Sequence, residues 1–192
     1  SKNFSDGVTT VSNKASHELS KSIFYPDNIP VVDNYIIQHN EPKEICLPKG
    51  EWKNLLFVGR LSAEKNVMIL PEILQKVIQQ YSKTILHVVG NGPELPELRR
   101  RVLKYGLAEN VLFWGQQNPY SFYQQSDILL LPSSKEGFGM VIIEAALNNL
   151  DIVTSTSVPI LDILSEDLKA SNPDDAHSFA TEIISKFNHP IP

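Results

Sequence analysis

The chain has 192 residues, 42% hydrophobic and 20% charged, enough to bury the core of one ordinary globular domain or of one domain with an appendage. With 17 Lys and Arg against 22 Asp and Glu, the formal net charge of −5 argues against a general nucleic-acid binder. A single cysteine, Cys46, excludes an internal disulfide and a cysteine-rich zinc site, and no apolar run approaches the roughly 20 residues of a membrane span. The opening residues do not read as a signal peptide, so a reduced, cytoplasmic setting is expected; Ser1 in first place, without a methionine, suggests a processed or excised fragment.

Residues 8–12, Val-Thr-Thr-Val-Ser, read as a short strand, and residues 13–24 as a helix with Asn13 at its cap. Pro26 and Pro30 break it, and residues 29–34 read as extended. Residues 38–53 hold Pro42, Pro48 and Gly50 among charges and read as a linker. The compact domain begins with a strand at 54–58 that runs into a loop at 59–66. A helix is expected from there to about Tyr81, with Pro71 tolerable only in its first turn. Residues 84–89 form the next strand, which turns at Gly90-Asn91-Gly92-Pro93. Residues 94–105 read as a helix whose basic end, Arg99-Arg100-Arg101, suits the helix dipole and whose stop is Gly106. A third strand at 110–115, a short helix at 119–126 and a buried apolar strand at 127–132 follow. Residues 140–147 are good helix formers ended by Asn148-Asn149, residues 151–155 are a fifth strand, and a last helix runs from about Asp174 to Phe187.

This alternation predicts an α/β fold, a Rossmann-like parallel sheet flanked by helices. Ligands in such sheets bind beyond the carboxyl ends of the strands, so the loops at 59–66, 90–93, 115–118 and 133–139 are the ones to examine. The last of these, Lys135-Glu136-Gly137-Phe138-Gly139, joins a strand to a helix. Its glycines let backbone approach a ligand closely, and the following helix N-terminus offers unpaired N–H groups to phosphate. Glu136 in the loop and Glu144 in the helix supply carboxylates, which accept strong hydrogen bonds from hydroxyls. Phosphate plus hydroxyls points to a nucleotide sugar. Each residue also has a plainer reading: Glu136 and Glu144 as solvated side chains, Arg99-Arg100-Arg101 as a solvated helix end, and His87 as a structural strand histidine.

Glu136 and Glu144, with Gly137-Phe138-Gly139 between them, match the E-x7-E motif of retaining GT-B glycosyltransferases, and the chain resembles that family. Residues 59–66, Gly-Arg-Leu-Ser-Ala-Glu-Lys-Asn, resemble the family stretch whose arginine and lysine grip the donor diphosphate; the resemblance implies that role for Arg60 and Lys65. A fork donor and a mobile point charge in one strand-to-helix loop suit one diphosphate. Gly90-Asn91-Gly92-Pro93-Glu94 lacks the third glycine of a dinucleotide fingerprint, Leu95 standing in its place, and resembles the family turn that borders the donor pocket. Residues 111–115 match the strand whose loop borders the nucleobase, leaving Trp114 either to stack on a base or to fill core.

The resemblance covers most of residues 8–187 and implies the C-terminal, donor-nucleotide domain of a family 4-like enzyme. Residues 1–37 would be a remnant of the N-terminal domain and the crossover, 38–53 the linker, and 54–192 the nucleotide-sugar domain. It further implies that Glu136, Arg60 and Lys65 are catalytic, with Glu136 on donor-sugar hydroxyls and Glu144 on the ribose. Gly137, Phe138, Gly139, Gly59, Gly90, Gly92 and Trp114 would complete the donor site. No metal and no cofactor is expected beyond the donor itself, a UDP- or GDP-linked sugar. A saccharide or lipid-linked acceptor would be held by an N-terminal half that is almost wholly missing here, and peripheral contact with a membrane face is compatible with this role. Three departures from the family pattern stand out: Asp33-Asn34-Tyr35 for the usual Pro-Asn-Gly, Val158-Pro159 for the usual Gly-Gly, and Asn149-Leu150-Asp151 for a glycine. The competing class is a non-catalytic nucleotide-sugar binding or interaction module.

Overall fold

The computed structural model describes residues 45–158 and 170–189. The strand expected at 8–12, the helix at 13–24, the extended segment at 29–34, the first part of the linker (38–44), and Pro159 lie outside these residues. Six strands are described: β1 Lys53–Val58, β2 Thr84–Val89, β3 Val111–Gly115, β4 Ile128–Leu131, β5 Asp151–Ser155 and β6 Ala170–Ser171. They form one sheet in the order β3-β2-β1-β4-β5-β6, every pair parallel. Five helices accompany them: α1 Leu70–Ile78, α2 Leu95–Lys104, α3 Tyr120–Tyr123, α4 Met140–Leu147 and α5 Ala176–Asn188. This is the doubly wound arrangement that the alternating pattern predicts. Its central strands are buried along their length because helices cover both faces: all six residues of β2 and all four of β4 are buried.

The longer helices bury an apolar stripe. On α1 the buried residues Leu70, Ile73, Leu74 and Val77 recur at helical spacing, and on α2 Leu98 and Val102 do the same. Among the described residues no helix is long and apolar enough to cross a membrane. The stretch ahead of β1 is bound to this unit. Leu47 is buried, its amide donates to the Gln125 side chain at 3.1 Å, and Gln125 in turn donates to the Ile45 carbonyl.

Three local features differ from the sequence expectation. The helix expected after Asn66 is preceded by two 3₁₀ turns, Ala63–Lys65 and Val67–Ile69, and becomes α-helical only at Leu70. Asn66 causes the break: its φ of 50° is left-handed, and its side chain donates to the Pro173 carbonyl at 2.6 Å. Pro71 does fall in the first helical turn. The helix expected from Glu94 starts at Leu95, so its first-turn proline is Pro96 while Pro93 stays in the turn. Strand β6 carries no sequence signal; its two residues pair with Thr154 and Ser155. The helix that follows is capped by Asp175, whose side chain accepts from the amides of His177 and Ser178 at 3.0 and 3.1 Å.

The loops after β1 and β2 are drawn into contact by backbone bonds from Gly59 to Val89 and from Leu61 to Asn91, both 3.0 Å. A Cβ on Gly90 would stand 1.9 Å from the Gly59 carbonyl oxygen, and one on Gly92 would stand 2.2 Å from that of Leu61. Gly90 also has a φ of 144°, whereas a Cβ on Gly137 would meet nothing within 4 Å. Gly90→Ala should therefore lose about 2–5 kcal/mol of stability from overpacking and backbone strain combined. Gly137→Ala should stay within about 0.5 kcal/mol of wild type. Urea unfolding of the two variants separates these cases, and equal midpoints would refute the close-approach argument.

Candidate functional site

The sheet order reverses between β1 and β4, and a crevice at such a switch point is where ligands of open α/β sheets bind. Two loops meet there. The Glu64 carbonyl accepts from the amides of Ser134 and Lys135 at 2.9 and 3.2 Å, and from the Ser134 hydroxyl at 3.2 Å. Lys65, from the β1 loop, forms an ion pair with Glu136, from the β4 loop, with side chains only 18% and 11% exposed. The Glu136 carboxylate also receives the Gly137 amide at 3.1 Å and, more weakly, the Ser133 hydroxyl at 3.4 Å. Three donors thus fix one carboxylate at the mouth of the crevice. The pair leaves a cation available to a stronger anion, and a carboxylate with spare lone pairs for hydroxyl donors.

A cleft of about 380 Å³ opens over the carboxyl ends of β1, β2 and β3. Gly59, Arg60, Gly90, Asn91, Gln116 and Gln117 line it above Val58 and Val89. Arg60 is exposed, and among the described residues it makes no ion pair. Gly59 links the cleft to the ion pair: a Cβ there would lie 3.9 Å from the Lys65 Cε. Beyond Glu136, the partly buried Phe138 side chain packs against the core. Gly139 sits at the N-cap of α4 with a φ of 91°, a left-handed conformation that glycine adopts without strain.

Two further candidate residues make contacts within the chain. Trp114 does not line the cleft. Its indole N–H donates to His87 Nδ1 at 3.2 Å, and its ring meets Phe122 edge-on at 5.2 Å between centroids. Its side chain packs against the core and stays partly exposed. Glu144, on α4, accepts from the Tyr123 hydroxyl at 2.8 Å and makes no contact with the Lys65–Glu136 pair among the described residues. Sequence reading pointed to the 115–118 loop but not to Gln116 or Gln117 as cleft walls, because two glutamines after a strand carry no pattern. Tyr123 was likewise missed: one tyrosine in a four-residue helix gives no signal before the packing is known.

The fold is the Rossmann-like half of a GT-B fold. The chain matches the family described as Glycosyl transferases group 1 over residues 39–190, and it belongs to that family. Relatives include an uncharacterized glycosyltransferase of Haemophilus influenzae, 34% identical over 114 residues, covering 59% of this chain and 32% of that protein. The N-acetyl-α-D-glucosaminyl L-malate synthase of Bacillus anthracis is 29% identical over 150 residues, covering 73% of this chain and 39% of its own length. Among solved structures, S. aureus TarM in complex with fondaparinux, α-GlcNAc-glycerol and UDP superposes with a TM-score of 0.80 at 18% identity, covering 95% of this chain and 37% of TarM. The isolated C-terminal domain of LpcC from Francisella tularensis gives 0.64 at 20% identity, covering 71% of this chain and 75% of that domain. At these identities the structural matches establish the fold alone. The chain spans about a third to two fifths of the length of these curated relatives.

His87 is fully buried, and its imidazole is satisfied only when neutral: Nδ1 accepts from Trp114, and Nε2 donates to Asn54 Oδ1 at 2.9 Å. Burial lowers its pKa from 6.5 to about 4. An unfolded chain therefore binds a proton between those values that the folded chain refuses. The stability is complete above pH 6.5 and is lost as pH falls towards 4, by up to about 3 kcal/mol. His87→Gln keeps a donor and an acceptor without the titration. Chemical unfolding at pH 7 and pH 4.5 should show a smaller acid loss in this variant than in wild type, and parallel losses would remove His87 as the cause.

Proposed function

We propose that this chain is the donor-binding part of a glycosyltransferase that uses a UDP- or GDP-linked sugar and retains anomeric configuration. The observation that carries the reading is the Lys65–Glu136 pair: it brings the two loops of the E-x7-E and Gly-Arg…Lys motifs into contact at the switch point, beside a cleft lined by Arg60. On this reading the donor diphosphate lies against Arg60 and Lys65 and the amides near Gly137–Gly139. These groups stabilise the charge that develops as the diphosphate departs, which is electrostatic catalysis without a cofactor. Glu136 holds hydroxyls of the donor sugar, and Glu144 holds the ribose. The acceptor, a saccharide or lipid-linked sugar, is positioned by the remaining part of a longer enzyme, as the relatives' greater length suggests.

Lys65 cannot serve Glu136 and a diphosphate equally, and the reading gives the two residues opposite signatures. Arg60→Ala and Lys65→Ala should each weaken binding of a nucleoside diphosphate by about 1.5–3 kcal/mol, the range for hydrogen bonds to charged groups. Glu136→Gln frees Lys65 from its partner, so it should leave the free nucleoside diphosphate as tight or tighter while weakening the sugar-bearing donor. Glu144→Gln should weaken both. Calorimetry with UDP and UDP-glucose, and with GDP and GDP-mannose, gives all four affinities; unchanged binding in Arg60→Ala and Lys65→Ala removes the diphosphate from this loop.

The isolated 192 residues should bind donor and transfer no sugar. Transfer needs the acceptor hydroxyl held near the anomeric carbon, and without that positioning the proximity contribution is lost. The check is product formation from radiolabelled UDP- and GDP-sugars over a panel of lipid and saccharide acceptors. Robust transfer that Glu136→Gln abolishes would overturn this division between the chain and the rest of its enzyme.

A further inference from the structure

The inference concerns Tyr123 and rests on the reading of Glu144 as the ribose-binding carboxylate. Tyr123 ends α3 with its ring buried at 3% exposure, and it directs its hydroxyl to Glu144 Oε2 at 2.8 Å. Helix α3 is a firm platform for that hydroxyl. Phe122 is fully buried beside His87 and Trp114, and Gln125 ties the end of the turn to the carbonyls of Ile45 and Ser121. Burial first, and then the Glu144 carboxylate, push the phenol pKa far above its ordinary value. The proton therefore stays on the phenol, and the bond runs in one direction: Tyr123 donates and Glu144 accepts.

A glutamate on an otherwise partly exposed helix face has three side-chain torsions to fix before it can grip a ligand, and fixing them costs entropy. Among the described residues Oε2 of Glu144 takes the Tyr123 hydroxyl and Oε1 takes no donor. We infer that Tyr123 is a positioning residue that holds the Glu144 carboxylate in one orientation, with Oε1 presented to the ribose hydroxyls, so that the site distinguishes a ribonucleotide from its deoxy counterpart. An adjacent pair of hydroxyls rewards a carboxylate held in a single plane. A carboxylate free to rotate meets one hydroxyl at a time and discriminates less. The role differs from core filling, because the ring of Phe would fill the same space.

The test compares UDP with 2′-deoxy-UDP, and GDP with 2′-deoxy-GDP, by calorimetry on the full 192-residue chain. Wild type should prefer the ribonucleotide by about ten-fold or more, as expected for a hydrogen bond to a charged group. Tyr123→Phe should cut this ratio at least about three-fold, chiefly through weaker ribonucleotide binding, since an immobilised side chain is worth roughly that much. A structural role alone would weaken both ligands together and leave the ratio unchanged, which would overturn the inference. Glu144→Gln separates the two readings: a retained ribose preference there refutes Glu144 as the ribose ligand, whereas a preference lost in Glu144→Gln but kept in Tyr123→Phe refutes Tyr123 alone. If Tyr123→Phe does not fold, Glu144→Asp serves in its place, because it withdraws the carboxylate from the tyrosine at a partly exposed position. An intact preference in that variant would overturn the inference as well.

Discussion

An ammonium and a carboxylate, both largely withdrawn from solvent, meet where the chain reverses its order across the sheet. Strands β1 and β4 are neighbours in space but separated by two other strands in sequence, so their loops have no local reason to lie together. The Lys65–Glu136 pair and the three bonds to the Glu64 carbonyl supply one. A pair at this degree of burial is a poor source of net stability, because desolvation offsets much of its attraction, yet removing one partner leaves the other charge uncompensated. Such a pair is better at fixing a geometry than at strengthening a fold. What it fixes is the mouth of the crevice.

The glycines around the same crevice divide by physical cause. Gly90 and Gly92 are required by protein against protein: each brings backbone so close to the β1 loop that a methyl group has no room. Gly139 is required by conformation, turning the chain left-handed into α4. Gly137 meets neither condition, having open space where a Cβ would go and no positive φ. Of the four, Gly137 alone has its small size unexplained by the chain's own packing, and on the proposed reading the missing partner is the donor.

Much of this was legible in the residues. Strands β2 and β5 and helix α4 have the bounds that their apolar runs and stop signals indicate, because buried parallel strands and alanine-rich helices carry strong local patterns. The two motif loops were legible for a different reason: Arg60, Lys65, Glu136 and Glu144 stand in spacings that match a family, and spacing survives where propensity is silent. What escaped was set by distant contacts. Asn66 breaks a helix through Pro173, more than a hundred residues away in sequence. Two-residue β6 exists only because Thr154 and Ser155 offer it an edge. The Trp114–His87 bond joins two strands and the Tyr123–Glu144 bond two short helices, pairings that no sequence window contains.

On the proposed reading, the charges of the site also explain how an acidic chain can hold a diphosphate. Net charge describes long-range steering, while a diphosphate is held by the few cations within hydrogen-bond reach. Several basic side chains are already engaged: Lys186 with Asp151, Lys83 with Glu51, Arg100 and Arg101 with Glu97. Arg60, in the cleft, is uncommitted among the described residues, and Lys65 is committed only to Glu136. Among the described residues the loop therefore offers one cation outside any ion pair, Arg60, which lies near Glu64, and one conditional charge, Lys65. On the proposed reading Arg60 makes the first contact with the diphosphate, and Lys65 joins it to the extent that the donor's sugar occupies Glu136 in exchange. A donor that carries its sugar satisfies both members of the pair. A product nucleotide satisfies only the lysine, so Glu136 competes with it, and the same ion pair that shapes the empty crevice favours release once the sugar has gone.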